Sequence, residues 1–152
     1  MTTFGSFRLL DKILSHQPGN RLVTECLWSS RRTLVDAMGE AAFLMELAAQ
    51  TGALMNRLEG VSLQDHFLGK IKSMEFFPWN RLSSHIITWV MRLGGNGRLT
   101  HYQGQSMSPS GTVFSSFDLL ICTTHDLGGN GEKRSLYWRD HLANLPKGDQ
   151  DA

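Results

Sequence analysis

Long hydrophobic runs are missing from this chain. No stretch reaches the ~20 apolar residues that a membrane-spanning helix needs, so no membrane span is expected. An excess of one charge is missing too: fifteen Lys and Arg against fourteen Asp and Glu leave a net charge of +1. Proteins that grip nucleic acid through its phosphates are usually far more basic, so no nucleic-acid partner is expected. Cysteine is scarce, and Cys26 and Cys122 sit in apolar segments with no close pair. That spacing gives no support to a disulfide scaffold or a sulfur-rich metal site, and both residues read as buried reduced thiols. The amino terminus, Met-Thr-Thr-Phe-Gly-Ser-Phe-Arg, lacks the basic start and continuous apolar core of a secretory signal, so the expected location is the cytoplasm.

What is present suits one compact domain. At 152 residues and 41% apolar, the chain can bury roughly two-thirds of its unfolded surface. The domain is expected over residues 1–127, followed by a polar tail, 128–152, with one amphipathic piece around Leu136, Trp138, Leu142 and Leu145. Phe7 to Leu14 is a short apolar piece that runs into Gln17-Pro18-Gly19-Asn20, which is turn chemistry. Arg21 to Trp28 alternates with period two and predicts a strand. Thr33 followed by Asp36 matches a capping-box-like start, and the long apolar run behind it predicts one helix to about Leu58, stopped by Gly60. Such a helix would be roughly 37 Å long.

Beyond the helix the pattern switches to strands over Phe67–Phe77, Leu82–Leu93, Arg98–Met107 and Thr112–Thr123. Each boundary carries a breaker: Pro78-Trp79-Asn80, then Gly94-Gly95-Asn96-Gly97, then Ser108-Pro109-Ser110-Gly111. Connections this short predict an antiparallel meander. In the second of these strands Ile87, Trp89, Met91 and Leu93 form the more apolar side, which is expected to cover the helix. The Gly-Gly-Asn-Gly segments at 94–97 and 128–131 read as turns, because neither has the strand-to-helix context of a dinucleotide loop.

One residue breaks the helix pattern. Ala41-Ala42-Phe43-Leu44-Met45-Glu46-Leu47-Ala48-Ala49-Gln50 holds a carboxylate inside an apolar sequence, and a carboxylate in such company must be paired, hydrogen-bonded or neutralised. Gln50, one turn on, is the natural hydrogen-bonding partner. Glu46 is therefore either a buttress between helix and sheet or a working acid. Arg31 and Arg32, at the helix start, are suited to an anion such as a pantetheine phosphate or an acidic carrier protein, although pairs of this kind are commonly surface charge. Phe67, Phe76, Phe77, Trp79 and Trp89, with Met45 and Met55, can wall an acyl site or simply fill a core. For metal, Asp65 with His66 and Cys122 with His125 each fall short of a ligand set, so no metal is expected.

A strand, a long helix and a curved antiparallel sheet together outline the α+β hotdog fold. Glu46-Leu47-Ala48-Ala49-Gln50-Thr51-Gly52 resembles the helix of the 3-hydroxyacyl-carrier-protein dehydratases, in which a catalytic Glu is followed four residues later by Gln. Leu9-Leu10-Asp11-Lys12-Ile13 resembles that family's opening, and Leu68-Gly69-Lys70-Ile71 through Phe76-Phe77-Pro78 resembles its next strand. The likeness implies carrier-bound 3-hydroxyacyl substrates of fatty-acid or polyketide-type synthesis, no cofactor beyond the carrier's phosphopantetheine, and an acyl carrier protein as partner. It also implies a dimer whose subunits share each site. The family's His, from a Gly-His-Phe-Pro-Gly loop before the helix, has no counterpart in Ser29-Ser30-Arg31-Arg32-Thr33-Leu34-Val35-Asp36. The expectation is thus a dehydratase-like subunit, incomplete alone, that pairs with an active paralogue and supplies Glu46. The alternatives are an acyl thioesterase using Glu46 or Asp36, and a non-catalytic acyl-binding or scaffold subunit.

Overall fold

The protein's structure, a computed structural model, describes residues 8–60, 65–96 and 98–124. The amphipathic piece expected in the tail lies outside them. Six antiparallel strands form one sheet: β1 Lys12–Gln17, β2 Arg21–Leu27, β3 Asp65–Phe76, β4 His85–Gly95, β5 Leu99–Met107 and β6 Val113–Thr124. A 3-10 turn, Trp28–Arg31, leads from β2 into α1 (Arg32–Met38) and α2 (Glu40–Glu59). A long helix against a curved six-stranded antiparallel sheet is the hotdog fold, as the sequence pattern implied.

The turn chemistry acts where expected. Gly19 takes φ 75° between β1 and β2, where the Asn20 amide donates to the Gln17 carbonyl. Asn96 organises the β4–β5 hairpin, its Oδ1 accepting from the amides of Arg98 and Leu99. At the β5–β6 turn the Gly111 amide donates to the Ser108 carbonyl.

Four expectations are corrected. The single helix is two, because the chain turns at Gly39 with φ 90°, a conformation that costs glycine little and residues with a Cβ considerably more. α2 alone is 20 residues, about 30 Å long. Thr33 and Asp36 form no capping box; both lie within α1 and are exposed, and no side chain caps that helix. The four-strand meander is also broken. The sheet order is β1-β2-β4-β5-β6-β3, so β3 leaves its sequence neighbour β4 and pairs with β6 at the far edge. The Phe77–Ser84 connection supplies the crossover, and α2 is packed under the sheet between the two.

The fourth correction concerns β4. Ile86, Thr88 and Val90 face α2 and are fully buried, while Ile87, Trp89 and Met91 lie half-buried on the outer side. The inner side of β4 carries the polar partners: the Thr88 hydroxyl bonds Ser106 and the Thr88 carbonyl accepts from Thr24, and the two-residue alternation that buries Thr88 turns its neighbour Trp89 outward. Trp89 lies outside, under the Arg21 guanidinium at 5.2 Å. Between helix and sheet runs a file of hydroxyls: Thr51 to Thr24 at 3.1 Å, Thr24 to the Thr88 carbonyl at 3.4 Å, and Thr88 to Ser106 at 2.8 Å. All four are buried, and around them lie Leu22, Phe43, Leu47, Met55, Tyr102, Phe114 and Phe117.

Candidate functional site

The site is built on the flank of α2, not under it. Residues 43, 44, 47, 48, 51, 52 and 55 turn to the sheet and are buried, which is the stripe that helical periodicity gives a half-covered helix. Glu46 and Gln50 stand beside that stripe and are half-buried. Structure does not surround α2 on every side, since Glu40 and Ala41 are exposed and Met45 half-buried.

Spacing of four puts the two side chains one above the other, and Gln50 Nε2 donates to Glu46 Oε1 at 3.1 Å. Gln50 cannot turn its amide over. Its Oε1 accepts the Leu9 backbone N–H at 2.8 Å, so its NH₂ end must face the carboxylate. Glu46 is thereby presented as an acceptor. Its second oxygen has no hydrogen-bond partner among the described residues, so it is open to a substrate or water.

Leu9 is held in turn. Leu9 and Leu10 are buried, and Asp11 locks the segment by accepting the Leu27 N–H at 2.7 Å and both Arg31 guanidinium ends at 2.7 and 2.9 Å. Arg31 also donates to the carbonyls of Leu27 and Arg8. Burial works to raise the Asp11 carboxyl, but the Arg31 and Leu27 donors outweigh it and hold the group below the ordinary aspartate value. Asp11 raises Arg31 in return. This ion pair and the Leu9 contact are the site residues that residue-type reasoning missed. The apolar Leu9-Leu10 pair followed by a carboxylate was the available signal.

The remaining candidates are dispersed. Arg31 is committed to Asp11, whereas Arg32 is exposed and stacks over the Trp28 ring at 4.5 Å. Asp36 is exposed on α1 and 3.6 Å from Arg81. Trp79, only 7% exposed, belongs to an aromatic cluster with Trp28, Phe43 and Phe114, at centroid distances of 4.9, 6.1 and 5.9 Å. Phe76 lies on edge strand β3, 43% exposed. The thiols differ: Cys26 is buried and pushed up to about 12 by desolvation, but Cys122 is half-buried, a correction to its expected burial. No described His bonds Glu46. His16 meets Glu59, His66 meets Thr123, His85 meets Ser84, and His101 meets Asp118.

The fold recurs among solved structures of very different sequence. A thioesterase family protein from Silicibacter pomeroyi superposes with a TM-score of 0.60 at 8% identity, covering 75% of this chain and 84% of its own. A Streptococcus mutans protein with bound acetyl CoA gives 0.60 at 9% identity, covering 76% and 89%. The Escherichia coli PaaI protein of the phenylacetic acid degradation operon gives 0.58 at 12% identity, covering 76% and 80%. At such identities the likeness establishes the fold. No protein-family model matches the sequence, and no curated protein matches it significantly.

Proposed function

We propose that this chain hydrolyses acyl thioesters, with Glu46 as general base. The observation that carries the reading is the Leu9–Gln50–Glu46 relay, which fixes one carboxylate oxygen as an acceptor and leaves the other open beside a half-exposed helix flank. Water attacking the thioester carbonyl passes a proton to Glu46. The tetrahedral intermediate then expels the thiolate, which regains that proton and leaves as free thiol. Structural neighbours named as thioesterases, and one holding acetyl CoA, support this choice over dehydration. Between the two acids weighed for hydrolysis, Glu46 has the positioned environment and Asp36 has an exposed ion pair.

Release of thiol from a series of acyl-CoA substrates tests the reading. Glu46→Gln is expected to lower kcat roughly 100-fold or more with the unfolding midpoint preserved. Full activity in that variant, or no thiol release from any acyl chain, would sink it. The Glu-x-x-x-Gln pair also keeps a second reading in play, dehydration with a partner chain that supplies the missing His. Co-expression with a complete hotdog dehydratase would then give enoyl product without thiol release. A dimer is part of both readings: β3 is an edge strand of 12 residues with Phe67 and Phe76 exposed, and such an edge invites pairing with a second chain.

A further inference from the structure

Arg31 and Arg32 are neighbours with opposite fates. Arg31 is turned inward and neutralised by Asp11. Arg32 is exposed, its guanidinium sits 4.5 Å over the Trp28 ring, and no carboxylate pairs with it among the described residues. Trp28 is a rigid platform for it, fully buried, with its Nε1 donating to the Ser83 carbonyl at 2.5 Å and the Trp79 ring edge-on at 4.9 Å. Arg81 flanks the same rings at 5.6 and 5.1 Å, but Glu40 occupies it at 2.7 and 2.8 Å and Asp36 stands nearby. Arg32 is thus the uncommitted cation of this cluster. Stacking satisfies the face of a guanidinium and leaves its N–H edge available, and that planar fork suits phosphate.

We propose that Arg32, seated on Trp28, anchors the phosphate of a phosphopantetheine arm whose far end carries the thioester to Glu46. The proposal rests on the thioester reading above. Geometry supports the pairing of the two ends. Glu40, through Arg81, places the cluster at the first turn of α2, and Glu46 lies six residues further, about 9 Å along the axis. A pantetheine arm is long enough to bridge that separation. The arm is shared by coenzyme A and by carrier proteins, so the chemistry is one while its source is either.

The test compares acyl-pantetheine, acyl-phosphopantetheine, acyl-CoA and an acyl-loaded carrier protein on the full chain, as wild type, Arg32→Ala and Arg32→Lys. The wild type is expected to favour acyl-phosphopantetheine over acyl-pantetheine by on the order of tenfold in kcat/KM, through KM, as befits one charge-assisted contact. That preference should shrink with added salt, collapse in Arg32→Ala and return in part in Arg32→Lys. Equal rates for the two substrates in the wild type, or a preference that survives Arg32→Ala, would overturn it. Loss of turnover in Arg32→Ala with acyl-CoA or with the loaded carrier upholds the site and names the source; loss with neither overturns it. Should the chain hydrolyse nothing, the hydrolase reading falls, and calorimetric binding of phosphopantetheine against pantetheine, in wild type and Arg32→Ala, still decides the phosphate site.

Discussion

Two polar systems share α2, and they differ in what they leave unsatisfied. On the sheet side, Thr51, Thr24, Thr88 and Ser106 bond in sequence, and nearer the helix end Tyr102 donates to Asn56, which reaches Thr123 at 3.5 Å. These hydroxyls and the Asn56 amide are uncharged and buried, with half-buried His66 joining through Thr123, and desolvation pushes the Tyr102 phenol up, away from ionisation. Such groups hold the helix in one register because leaving any of them unpaired is costly. On the flank, Glu46 is a half-buried carboxyl group bonded, among the described residues, through one oxygen only. The first system is closed and the second is open, and an open acceptor beside solvent is where chemistry can be done.

The largest effect should come from breaking the closed system. Asn56→Ala removes both bonds of a buried amide and orphans the Tyr102 hydroxyl, so a loss of about 3 kcal/mol is expected in denaturant unfolding. If the two systems are separate, the folded variant keeps its kcat/KM. A comparable drop in kcat/KM would mean that they are one network.

Asp11→Ala tests the boundary between them. Asp11 clamps Arg31 and the Leu27 amide, so its loss should cost roughly 2 kcal/mol, and it frees the segment that aims Leu9 at Gln50. Activity should fall as well, and by more than Asn56→Ala lowers it. The pH dependence has a definite sign. A carboxyl held below its ordinary value in the fold adds stability above the unfolded aspartate value, about pH 4, and loses it as pH falls through the folded value. Acid unfolding of the wild type should therefore carry a component that Asp11→Ala lacks. Curves of the same shape for both would remove the clamp from the account.

Most strand positions were readable because each strand ends at a breaker whose backbone demand is local, such as Gly19 or Ser108-Pro109-Ser110-Gly111. The Glu46–Gln50 bond was readable for the same reason, since it depends only on helical spacing. What escaped depends on distant partners. Gly39 sits in a run that is otherwise good helix, and its break shows only in φ. The placement of β3 beside β6 is a choice among neighbours that turn chemistry cannot make. β4 presents its less apolar side to α2, where Thr24 and Ser106 bond Thr88, partners that belong to other strands. Leu9 reaches Gln50 across 41 residues, and Arg31 parts from Arg32 because Asp11 claims one of them.

The smallest expected effect separates the two candidate acids. Asp36 is exposed on α1, and its ion pair spans 3.6 Å to Arg81, which Glu40 already holds more closely. An ion pair so placed contributes under about 0.5 kcal/mol. Asp36→Ala should leave the unfolding midpoint nearly in place and thiol release within about twofold of wild type, the residual effect of one surface charge. The value of the experiment lies in its asymmetry with Glu46→Gln. If Asp36→Ala lost two orders of magnitude while Glu46→Gln did not, the chemistry would move from the flank of α2 to the α1–α2 junction, and the open carboxylate of Glu46 would become a buttress like the hydroxyls behind it.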